Sequence, residues 1–578
     1  MIWWLLQPSR ARAERAAIAE LEERVSWLTG VTWGLESECR LAASFVIHHL
    51  NDEFQLKLVY PSFFPDTPPQ VVPRENVRLS NHQWGEGGEL CLELRADNWD
   101  TAFTGAMMIE SAYSLLSGER PATDERATVP SAHRVTQAQS IRGDRLRFLL
   151  TVEEHAALQD IAVGEVIELA LSEHIYNKHW LIHPVRLGPK EAPAWTRAQR
   201  VVDGSLVCGF ALRLPLSRDL PRHLDGESLG ALLASVAADK VIEALDAGSG
   251  SVFLLLIRDN DYRLFCSYVG SKGRVVFAYT TVLLPEGRNR LPDSHAFLAD
   301  KSVAIIGCGS MGSKVAVSLA RAGVIKFTLI DQDTLNPDNL VRNDLDARAV
   351  GVHKVDAVAA RIIEVNIDAD LSMRRIKLGG QESAGSTDSA LRDIAKADLI
   401  IDATADPYVF NLCASVARSE RKAMLWGEVF GGGIGGLIAR VRPDLEPPPH
   451  AARRQLLAWC EAQGVPWNER PAVEYGLDRQ DAPPLIADDA DVAVIAAHLT
   501  RLALDTLLYG SESRFPQSAY VIGLARGWIF SAPFDTCPIA FSAEGLWGPN
   551  KDPDAAEQLK TLASELFPDL KQQATDAA

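Results

Sequence analysis

The chain has 578 residues, of which 47% are hydrophobic and 23% are charged. This length predicts more than one globular domain, and the formal net charge of −18 argues against broad binding to nucleic acid or to anionic membranes. The 8 cysteines include no CxxC pair, which disfavours a disulfide framework and a four-thiolate zinc site and favours a reducing, cytoplasmic location. We expect no membrane-spanning helix, since no apolar run approaches the roughly 20 residues that one needs.

The first 120 residues combine helical and alternating patterns, which predicts an α+β domain over residues 1–120. Residues 8–28 have apolar positions at helical spacing. The stretches "SFVIHHL" and "FQLKLVYP" alternate as strands do, whereas "YPSFFPDTPPQVVP" has too many prolines for a helix interior or a central strand. Beyond Cys91, "TGAMMIESAYSLLSG" predicts a helix that ends at Gly118.

Cys91 has two interpretations from the residues alone. A cysteine most often packs in a core as a small hydrophobe. Yet Gly85, Gly87 and Gly88 stand just before Cys91, with acidic neighbours such as Glu89. This setting suits a thiol that is displayed for chemistry.

The middle of the chain carries little that points to a function. The polar residues 119–133 are typical of a linker. Residues 134–290 mix strand-like and helical patterns, which predicts a middle α+β linker domain whose role the sequence does not reveal.

From residue 291 the pattern changes to that of a doubly wound sheet. "KSVAIIGCGSMGSKVAVSLARAGVIKFTLIDQD" predicts strand, glycine turn, helix and strand, which is a βαβ unit of a parallel sheet. "ADLIIDATAD" predicts another buried strand, and residues 444–490 are expected to leave the core. We therefore predict a Rossmann-like domain over residues 291–550 and a C-terminal tail over residues 551–578.

The glycine turn of this unit is a nucleotide-binding pattern. Gly307, Gly309 and Gly312 form GxGxxG between a predicted strand and helix, where backbone amides can approach a phosphate. Asp331 ends the next strand, 19 residues after Gly312, which places a carboxylate for a ribose hydroxyl. Dehydrogenases share both features.

Residues farther along favour a triphosphate over a nicotinamide. Asn339, Arg342 and Lys354 follow the ribose carboxylate, and cations there would neutralise charge that develops during phosphoryl-type chemistry. Asp406 ends "IIDATAD" and could hold Mg²⁺, which prefers carboxylate oxygens. Each charge alone could be a solvated surface residue, but the ordered set predicts a site for ATP and Mg²⁺.

Residues 295–445 resemble the adenylation domain of the ubiquitin-activating, ThiF and MoeB superfamily through "GCGSMG", "LIDQDTL", "NLVRND", "HK" and "DATAD". The resemblance implies that the C-terminal glycine carboxylate of a protein client attacks the α-phosphate of ATP, releasing pyrophosphate. It also implies a homodimer, with an arginine such as Arg288 or Arg290 supplied by the partner. The roles it implies are ribose binding by Asp331, phosphate binding by Asn339, Arg342 and Lys354, and Mg²⁺ binding by Asp406.

Residues 8–120 resemble ubiquitin-conjugating enzymes, most specifically over "CLELRADNWDTAFTGAMMIESAYSLL". This resemblance implies that Cys91 is an acyl-carrying nucleophile rather than a packing residue. The His-Pro-Asn that the family places before its cysteine is not matched in "LSNHQWGEGGELC". Asn81 and His82 lie near that position, and either could support an oxyanion, while His82 could also accept a proton.

A second acyl-carrying cysteine is expected beyond the adenylation core. Cys460 lies on a predicted amphipathic helix and could simply pack, whereas Cys537 lies in a proline-flanked segment predicted to be irregular. Chains that fuse conjugating, linker and activating domains in bacterial anti-phage operons are similar to this one and carry the activating cysteine near the C-terminus, which favours Cys537.

The two resemblances together imply an ATP-dependent enzyme that activates a protein, relays it through two cysteines and conjugates it to an amine. In the similar anti-phage systems the client is a cGAS-like nucleotidyltransferase. Two alternatives stay open: activation of a ubiquitin-like or sulfur-carrier protein by the same chemistry, and a non-catalytic scaffold that only senses ATP.

Overall fold

The computed structural model describes residues 2–75, 77–80, 82–85, 87–121, 137–197, 204–221, 223–247, 250–271, 273–285, 290–430, 432–464, 487–549 and 554–567. Asn81, Arg288 and most of the predicted linker lie outside the described residues. The chain divides into two compact units, Met1–Asp144 and Arg145–Ala578. The finer division predicted at residues 120, 134, 291 and 551 stays a prediction.

The first unit is an antiparallel meander with helices before and after it. Its four-stranded sheet has the order β1-β2-β3-β4, and β5 and β6 form a separate short hairpin. The elements are α1 (Trp3–Leu6), α2 (Pro8–Arg24), β1 (Leu28–Leu35), β2 (Leu41–His49), β3 (Asp52–Val59), β4 (Gln70–Pro73), β5 (Gln83–Trp84), β6 (Glu89–Leu90), α3 (Gly105–Glu119) and α4 (Gln137–Ser140).

A buried carboxylate connects the helices of this unit. Glu14 of α2 is fully buried and accepts hydrogen bonds from the Tyr60 hydroxyl at 2.8 Å and from the Gly105 amide at 2.6 Å. Arg10 forms an ion pair with Glu14 at 2.9 Å. These contacts compensate the desolvation of the carboxylate and attach α2 to the first residue of α3. Helix α3 ends at Glu119, one residue after the stop predicted at Gly118.

The first part of the second unit is a sheet that closes on itself. Its strand order is β10-β9-β7-β14-β13-β12-β11-β8, and β8 pairs again with β9. Inward-facing Phe148, Leu171, Leu255 and Leu264 are fully buried in its core. The elements are β7 (Leu146–Leu150), α5 (Val152–Gln159), β8 (Val166–Tyr176), β9 (His179–Leu187), β10 (Trp195–Thr196), β11 (Ser205–Arg213), α6 (Gly226–Ser235), α7 (Asp239–Asp246), β12 (Val252–Arg258), β13 (Asp261–Gly270) and β14 (Gly273–Leu283).

The second part is a doubly wound sheet of order β17-β16-β15-β18-β19-β20-β21-β22. Strands β15 to β19 are parallel to one another, and β20 to β22 are each antiparallel to their neighbours. The elements are β15 (Ser302–Ile306), α8 (Ser310–Ala322), β16 (Lys326–Ile330), α9 (Lys354–Val365), β17 (Asp370–Arg374), α10 (Ala384–Lys396), β18 (Leu399–Asp402), α11 (Pro407–Ser419), β19 (Ala423–Phe430), β20 (Gly435–Val441), α12 (Pro449–Ala462), α13 (Asp489–Tyr509), β21 (Ala519–Gly523), β22 (Thr536–Ile539) and α14 (Ala555–Leu566).

Helices cover both faces of this sheet, as a parallel sheet requires. Residues of α8, α9 and α13 form one apolar core with the sheet, and residues of α10, α11 and α12 form the other. The expectation that residues 444–490 leave the core is therefore wrong for α12, because Ala452 and Leu456 are buried in the second core. The proline-rich "EPPPH" places a proline at the first position of that helix instead of breaking it.

One helix does have the length and apolarity of a membrane span, contrary to the expectation from sequence. The segment Asp489–Glu512 has a mean hydropathy of 1.4. Core helices meet the same criteria, and Ile495, Leu499 and Leu502 of α13 are fully buried in the core that α8 shares. Packing within the domain accounts for the apolar composition of this helix.

A buried ion pair attaches α13 to β20. Arg440 is fully buried and donates to Asp505 Oδ2 at 2.9 Å and to Ser513 Oγ at 3.0 Å. The other oxygen, Asp505 Oδ1, accepts the Arg514 amide at 2.9 Å. The Asp505 carboxylate is therefore the anionic partner of Arg440 in this network.

We predict that Asp505→Ala lowers the free energy of unfolding by about 3 to 5 kcal/mol, because it leaves a buried guanidinium without its counter-charge. Urea titration followed by far-UV circular dichroism measures the change. The matched control is Asp388→Ala, which removes the exposed partner of Arg392 on α10 and should cost no more than about 0.5 kcal/mol. Equal effects of the two substitutions would contradict the stabilising role of the Arg440 network.

Candidate functional site

The predicted nucleotide residues lie at one edge of the doubly wound sheet. Strands β15, β16 and β18 are parallel neighbours, so the segments that follow them emerge side by side. The chain runs from β15 to β16 in one direction and returns to β18 on the other side of β15. This reversal makes the crevice beyond β15 the topological switch point, where open α/β sheets bind ligands.

The glycine turn connects β15 to α8 and depends on close backbone contact. Gly307 has φ of +90°, and a Cβ at Gly312 would lie 1.8 Å from the Gly307 carbonyl oxygen. Position 309 differs, because a Cβ on Gly309 would meet nothing within 4 Å. The first and third glycines are thus required by the fold of the turn, whereas the second leaves space open beside the N-terminus of α8. The amides of that first helical turn lack intrahelical acceptors, which suits a phosphate.

Asp331 follows β16 and organises the turn next to it. Its Oδ2 accepts the Cys308 amide at 2.7 Å, and its Oδ1 accepts the Asp333 amide at 2.8 Å. Burial raises the pKa of the Asp331 carboxyl, and hydrogen bonds together with Lys354 partly offset that effect. Each carboxylate oxygen can accept more than one hydrogen bond, so the predicted bond to a ribose hydroxyl is compatible with these contacts.

Lys354 begins α9 and is mostly buried beside Asp331. Its ammonium donates to Asp333 Oδ2 at 2.9 Å, and its amide donates to the Asp333 carbonyl at 2.8 Å. The sequence reasoning missed Asp333. The signal was present in "DQD", since a buried lysine needs an acidic partner. An ammonium has three donors, so this pair is compatible with a further contact to a phosphate.

Asn339 and Arg342 lie in the segment that follows Asp331. Asn339 Oδ1 accepts the Asn336 amide at 3.1 Å and so stabilises the 3-10 turn Pro337–Val341. Arg342 ends that turn, and its neighbour Asn343 donates to the Cys308 carbonyl at 3.4 Å. The buried Asn343 therefore holds this segment against the glycine turn. Its role was not predicted, although it belongs to the quoted "NLVRND".

Asp406 is at the N-terminus of α11, on the segment after β18. Its Oδ1 accepts the Tyr408 amide at 2.8 Å as the helix cap. The preceding residues contact the glycine turn, since a Cβ on Gly307 would lie 2.9 Å from Thr404 Cγ2. Among the described ranges, no group of three or more His, Cys, Asp or Glu side chains could hold a metal alone. Asp406 could contribute one ligand to Mg²⁺ only if other ligands came from elsewhere.

A small pocket beside Asp406 was not predicted from sequence. Its lining includes Asp402, Glu428, Arg453 and Trp426. Burial raises the pKa of Asp402 to about 6 and that of Glu428 to about 7, while Arg453 partly offsets both shifts. The pocket thus holds carboxyl groups that are more easily protonated than ordinary surface acids.

Cys91 directly follows the β5–β6 hairpin and is only 8% exposed. Its amide donates to the His82 carbonyl at 2.8 Å, which places His82 opposite it on the hairpin. Burial raises the pKa of the Cys91 thiol, and Arg95 lowers it by a smaller amount. The glycine-rich loop therefore does not expose the thiol widely. The catalytic roles of Cys91, His82 and Asn81 stay predictions, and Asn81 lies outside the described residues.

Two of the loop glycines are explained by backbone geometry alone. Gly85 has φ of +73° and Gly88 has φ of +72°, in the left-handed region that glycine enters without steric cost. A role in displaying the Cys91 thiol is not needed to explain these two glycines.

Cys537 and Cys460, the two candidates for the second acyl-carrying cysteine, occupy different surroundings. Cys537 lies in β22 opposite Val521 and is half-buried, so the predicted irregular segment is instead an edge strand. Burial, and then Asp535, raises the pKa of the Cys537 thiol. Cys460 of α12 is 1% exposed, and burial together with Glu428 raises its pKa to about 11. Cys460 therefore behaves as a packing residue in this conformation.

The fold and the glycine turn define a Rossmann-type domain in an α/β protein. Residues 291–506 match the model of the ThiF family, so the chain contains a ThiF domain. It is 32% identical over 164 residues to the uncharacterized protein y4oA of Sinorhizobium fredii, a match that covers 27% of this chain and 28% of that protein.

Two further similarities are to a curated protein and to a solved structure. The chain is 32% identical over 134 residues to the ATP-dependent ubiquitin transferase-like protein Cap2 of Enterobacter hormaechei, covering 22% of each protein. A crystal structure of E. coli MccB with AMPCPP and MccA aligns with a TM-score of 0.34 and 14% identity, over 44% of this chain and 68% of that one. The chain thus spans about a quarter of the length of these two curated relatives.

We predict opposite outcomes for two glycine substitutions in the turn. Gly309→Ala should leave the melting temperature unchanged but raise the Kd for ATP by at least about tenfold, because its methyl group enters the space beside the helix N-terminus. Gly312→Ala should lower stability by about 1 to 3 kcal/mol, because its methyl group overlaps the Gly307 carbonyl. Thermal unfolding and isothermal titration calorimetry distinguish the two. Unweakened ATP binding by Gly309→Ala would contradict the phosphate assignment.

Proposed function

We propose that the chain adenylates the C-terminal carboxylate of a protein client with ATP, carries the client as a thioester on Cys537 and then Cys91, and transfers it to an amine. One observation carries the adenylation step. The glycine turn, Asp331 and Asp406 follow the parallel neighbouring strands β15, β16 and β18. Asp331 accepts the Cys308 amide of the turn, Lys354 pairs with Asp333, and Thr404, two residues before Asp406, adjoins Gly307. The chain's similarity to Cap2 and its ThiF domain support the same chemistry.

The residues at this edge of the sheet would bind ATP, orient it and neutralise its negative charge. The open space at Gly309 and the free amides of α8 fit a phosphate group, and Asp331 fits a ribose hydroxyl. Asn339, Arg342 and Lys354 would hold the phosphates and neutralise negative charge that develops as pyrophosphate leaves. When bound, ATP supplies the electrophilic α-phosphorus that the client carboxylate attacks.

Mg²⁺ fits this proposal as an ion shared between Asp406 and the nucleotide. Magnesium is commonly bound by one or two carboxylates together with substrate phosphates and water. One carboxylate at Asp406 agrees with that pattern, because its Oδ1 caps α11 and its Oδ2 can serve as the ligand.

The thioester steps rest on the setting of the two cysteines. Cys91 lies between a meander with a short hairpin and a following helix, in the order that the resemblance to ubiquitin-conjugating enzymes implies. Cys537 is half-buried and more accessible than Cys460. Strand β22 is five strands from β15, or roughly 24 Å at about 4.8 Å per strand. A client activated at the glycine turn would have to move its C-terminus by about that distance to reach Cys537.

The proposed client is a cGAS-like nucleotidyltransferase with a C-terminal glycine-like carboxylate, in cytoplasmic anti-phage defence. Its acceptor would be a protein or small molecule that bears an amine, and the enzyme would act as a homodimer. These parts of the proposal rest on the similarity to Cap2 and on the domain order of the similar fusion chains.

We predict that Asp406→Asn reduces client-dependent ATP–pyrophosphate exchange by at least about 100-fold, because it removes the charge that binds Mg²⁺. The amide oxygen of asparagine still caps α11, so the melting temperature should not change. The exchange assay contains Mg²⁺, labelled pyrophosphate and the nucleotidyltransferase client.

Two controls accompany this experiment. Asp388→Asn changes an exposed acid of α10 and should exchange at the wild-type rate, as should Cys91→Ala, since exchange precedes thioester formation. Exchange that survives Asp406→Asn would remove the Mg²⁺ assignment. A second result would show that the proposed client is wrong. This is a wild-type enzyme that shows no exchange with this client but does show exchange with a ubiquitin-like or sulfur-carrier protein.

We further predict that each cysteine variant stops the transfer of the client at a different step. Cys537→Ala should lack every thiol-sensitive client band while still exchanging pyrophosphate. Cys91→Ala should accumulate the client on Cys537 and form no final conjugate. Cys91→Lys should trap the client as a stable amide, because an amine is a far poorer leaving group than a thiolate.

Non-reducing gels with and without added thiol measure these species, and Cys208→Ala is a control because it removes an exposed cysteine outside the proposed relay. A thiol-sensitive band of normal intensity in Cys537→Ala would show that Cys460 is used, or that the client passes directly to Cys91. Either result would overturn the assignment of Cys537.

A further inference from the structure

The second unit has a groove between its first helix and its closed sheet that no step of the proposed reaction uses. The groove measures about 410 Å³ and lies between α5 and the strands β8, β9 and β10. It is lined by Glu153, Ala156, Ala157, Asp160, Ile161, Glu165, Ile167, Leu187, Ala194 and Trp195. Its walls combine apolar side chains with a few polar groups.

The helix side of the groove is flat, with an acid at each end. Glu153, Ala156, Ala157 and Asp160 recur at helical spacing and so share one face of α5 and its C-terminal end. Small alanine side chains leave the middle of that face empty. Elongated ligands could lie across the alanines and reach a carboxylate at either end.

The sheet side supplies an aromatic wall and a third acid. Trp195 pairs with Leu187 in the edge strand β10, and both line the groove. Glu165 stands before β8, where one of its oxygens accepts the Ala162 amide at 3.1 Å. An indole and carboxylates that line the same groove favour a planar cation, because such a cation can both stack on the ring and donate hydrogen bonds to the carboxylates.

The charge of the groove is not balanced by neighbouring cations. Arg197 pairs with the buried Glu154 at 2.5 Å, and Arg213 donates to the Ile161 carbonyl at 3.1 Å behind the groove. Within the described ranges, no ion pair links Glu153, Asp160 or Glu165 to a basic residue. These three carboxylates are therefore available to a positively charged partner.

We propose that this groove binds an arginine-containing extended segment of a partner protein. An arginine side chain would lie over Ala156 and Ala157, with its guanidinium against Trp195 and paired with a carboxylate at the rim. Arginine is preferred to lysine because a compact ammonium cannot stack on the indole in the same way. The site would hold a partner independently of adenylation, and it gives the middle of the chain a recruiting role.

The test uses the full-length protein and a fluorescein-labelled arginine–glycine peptide, with fluorescence anisotropy as the measurement. Ala156→Phe should weaken binding at least about tenfold, because it fills the groove without changing the protein's charge. Glu165→Gln and Asp160→Asn should each weaken it about threefold to fivefold. Glu243→Gln, which changes an exposed acid on α7, should bind as the wild type does.

Several outcomes would overturn the proposal. Unchanged affinity in Ala156→Phe with an unchanged melting temperature would show that the peptide binds the acidic surface at large. If Ala156→Phe unfolds, Trp195→Leu replaces it, and normal binding by that variant has the same meaning. Equal affinity for a lysine–glycine peptide would exclude arginine recognition. If spermidine binds more tightly than the peptide and Ala156→Phe weakens its binding, the groove is a polyamine site instead. Pyrophosphate exchange should stay normal in all of these variants, so this test can fail without affecting the proposed reaction.

Discussion

The candidate site at the edge of the doubly wound sheet depends on one backbone contact. This contact is the approach of residue 312 to the carbonyl oxygen of Gly307. A side chain at position 312 would lie 1.8 Å from that oxygen, so only glycine allows α8 to begin this close to β15. The contact brings the Cys308 amide within reach of Asp331 and the Ala403–Thr404 segment against the turn. The relative positions of the residues after β15, β16 and β18 all follow from it.

Sequence reasoning succeeded where a residue's role is set by its immediate neighbours. The strand, glycine turn and helix around Gly307 and the carboxylate of Asp331 could be predicted because their spacing is local. The Glu428–Arg453 pocket could not, since its residues come together only when distant segments meet. Cys537 shows the same limit, because its flanking prolines concealed a strand whose existence depends on pairing with β21.

The two cysteines that the proposed relay needs are both less exposed than a reactive thiol usually is. Burial raises the pKa of each thiol, so the neutral form is favoured at physiological pH. Transfer to either cysteine would therefore require a base or a conformational opening, and client binding could provide either. His82, whose carbonyl accepts the Cys91 amide, is the residue that the sequence predicts as such a base.

The buried Glu14 also has a consequence for how the N-terminal unit forms during synthesis. Its bond to the Gly105 amide joins residues 91 positions apart. At about 5 to 20 residues per second, the ribosome needs roughly 5 to 18 s to make that interval. Arg10 and Tyr60 are made earlier than this interval ends, but the attachment of α2 to α3 must wait for that helix. The unit is therefore expected to fold late and as a whole, rather than from its first helix onward.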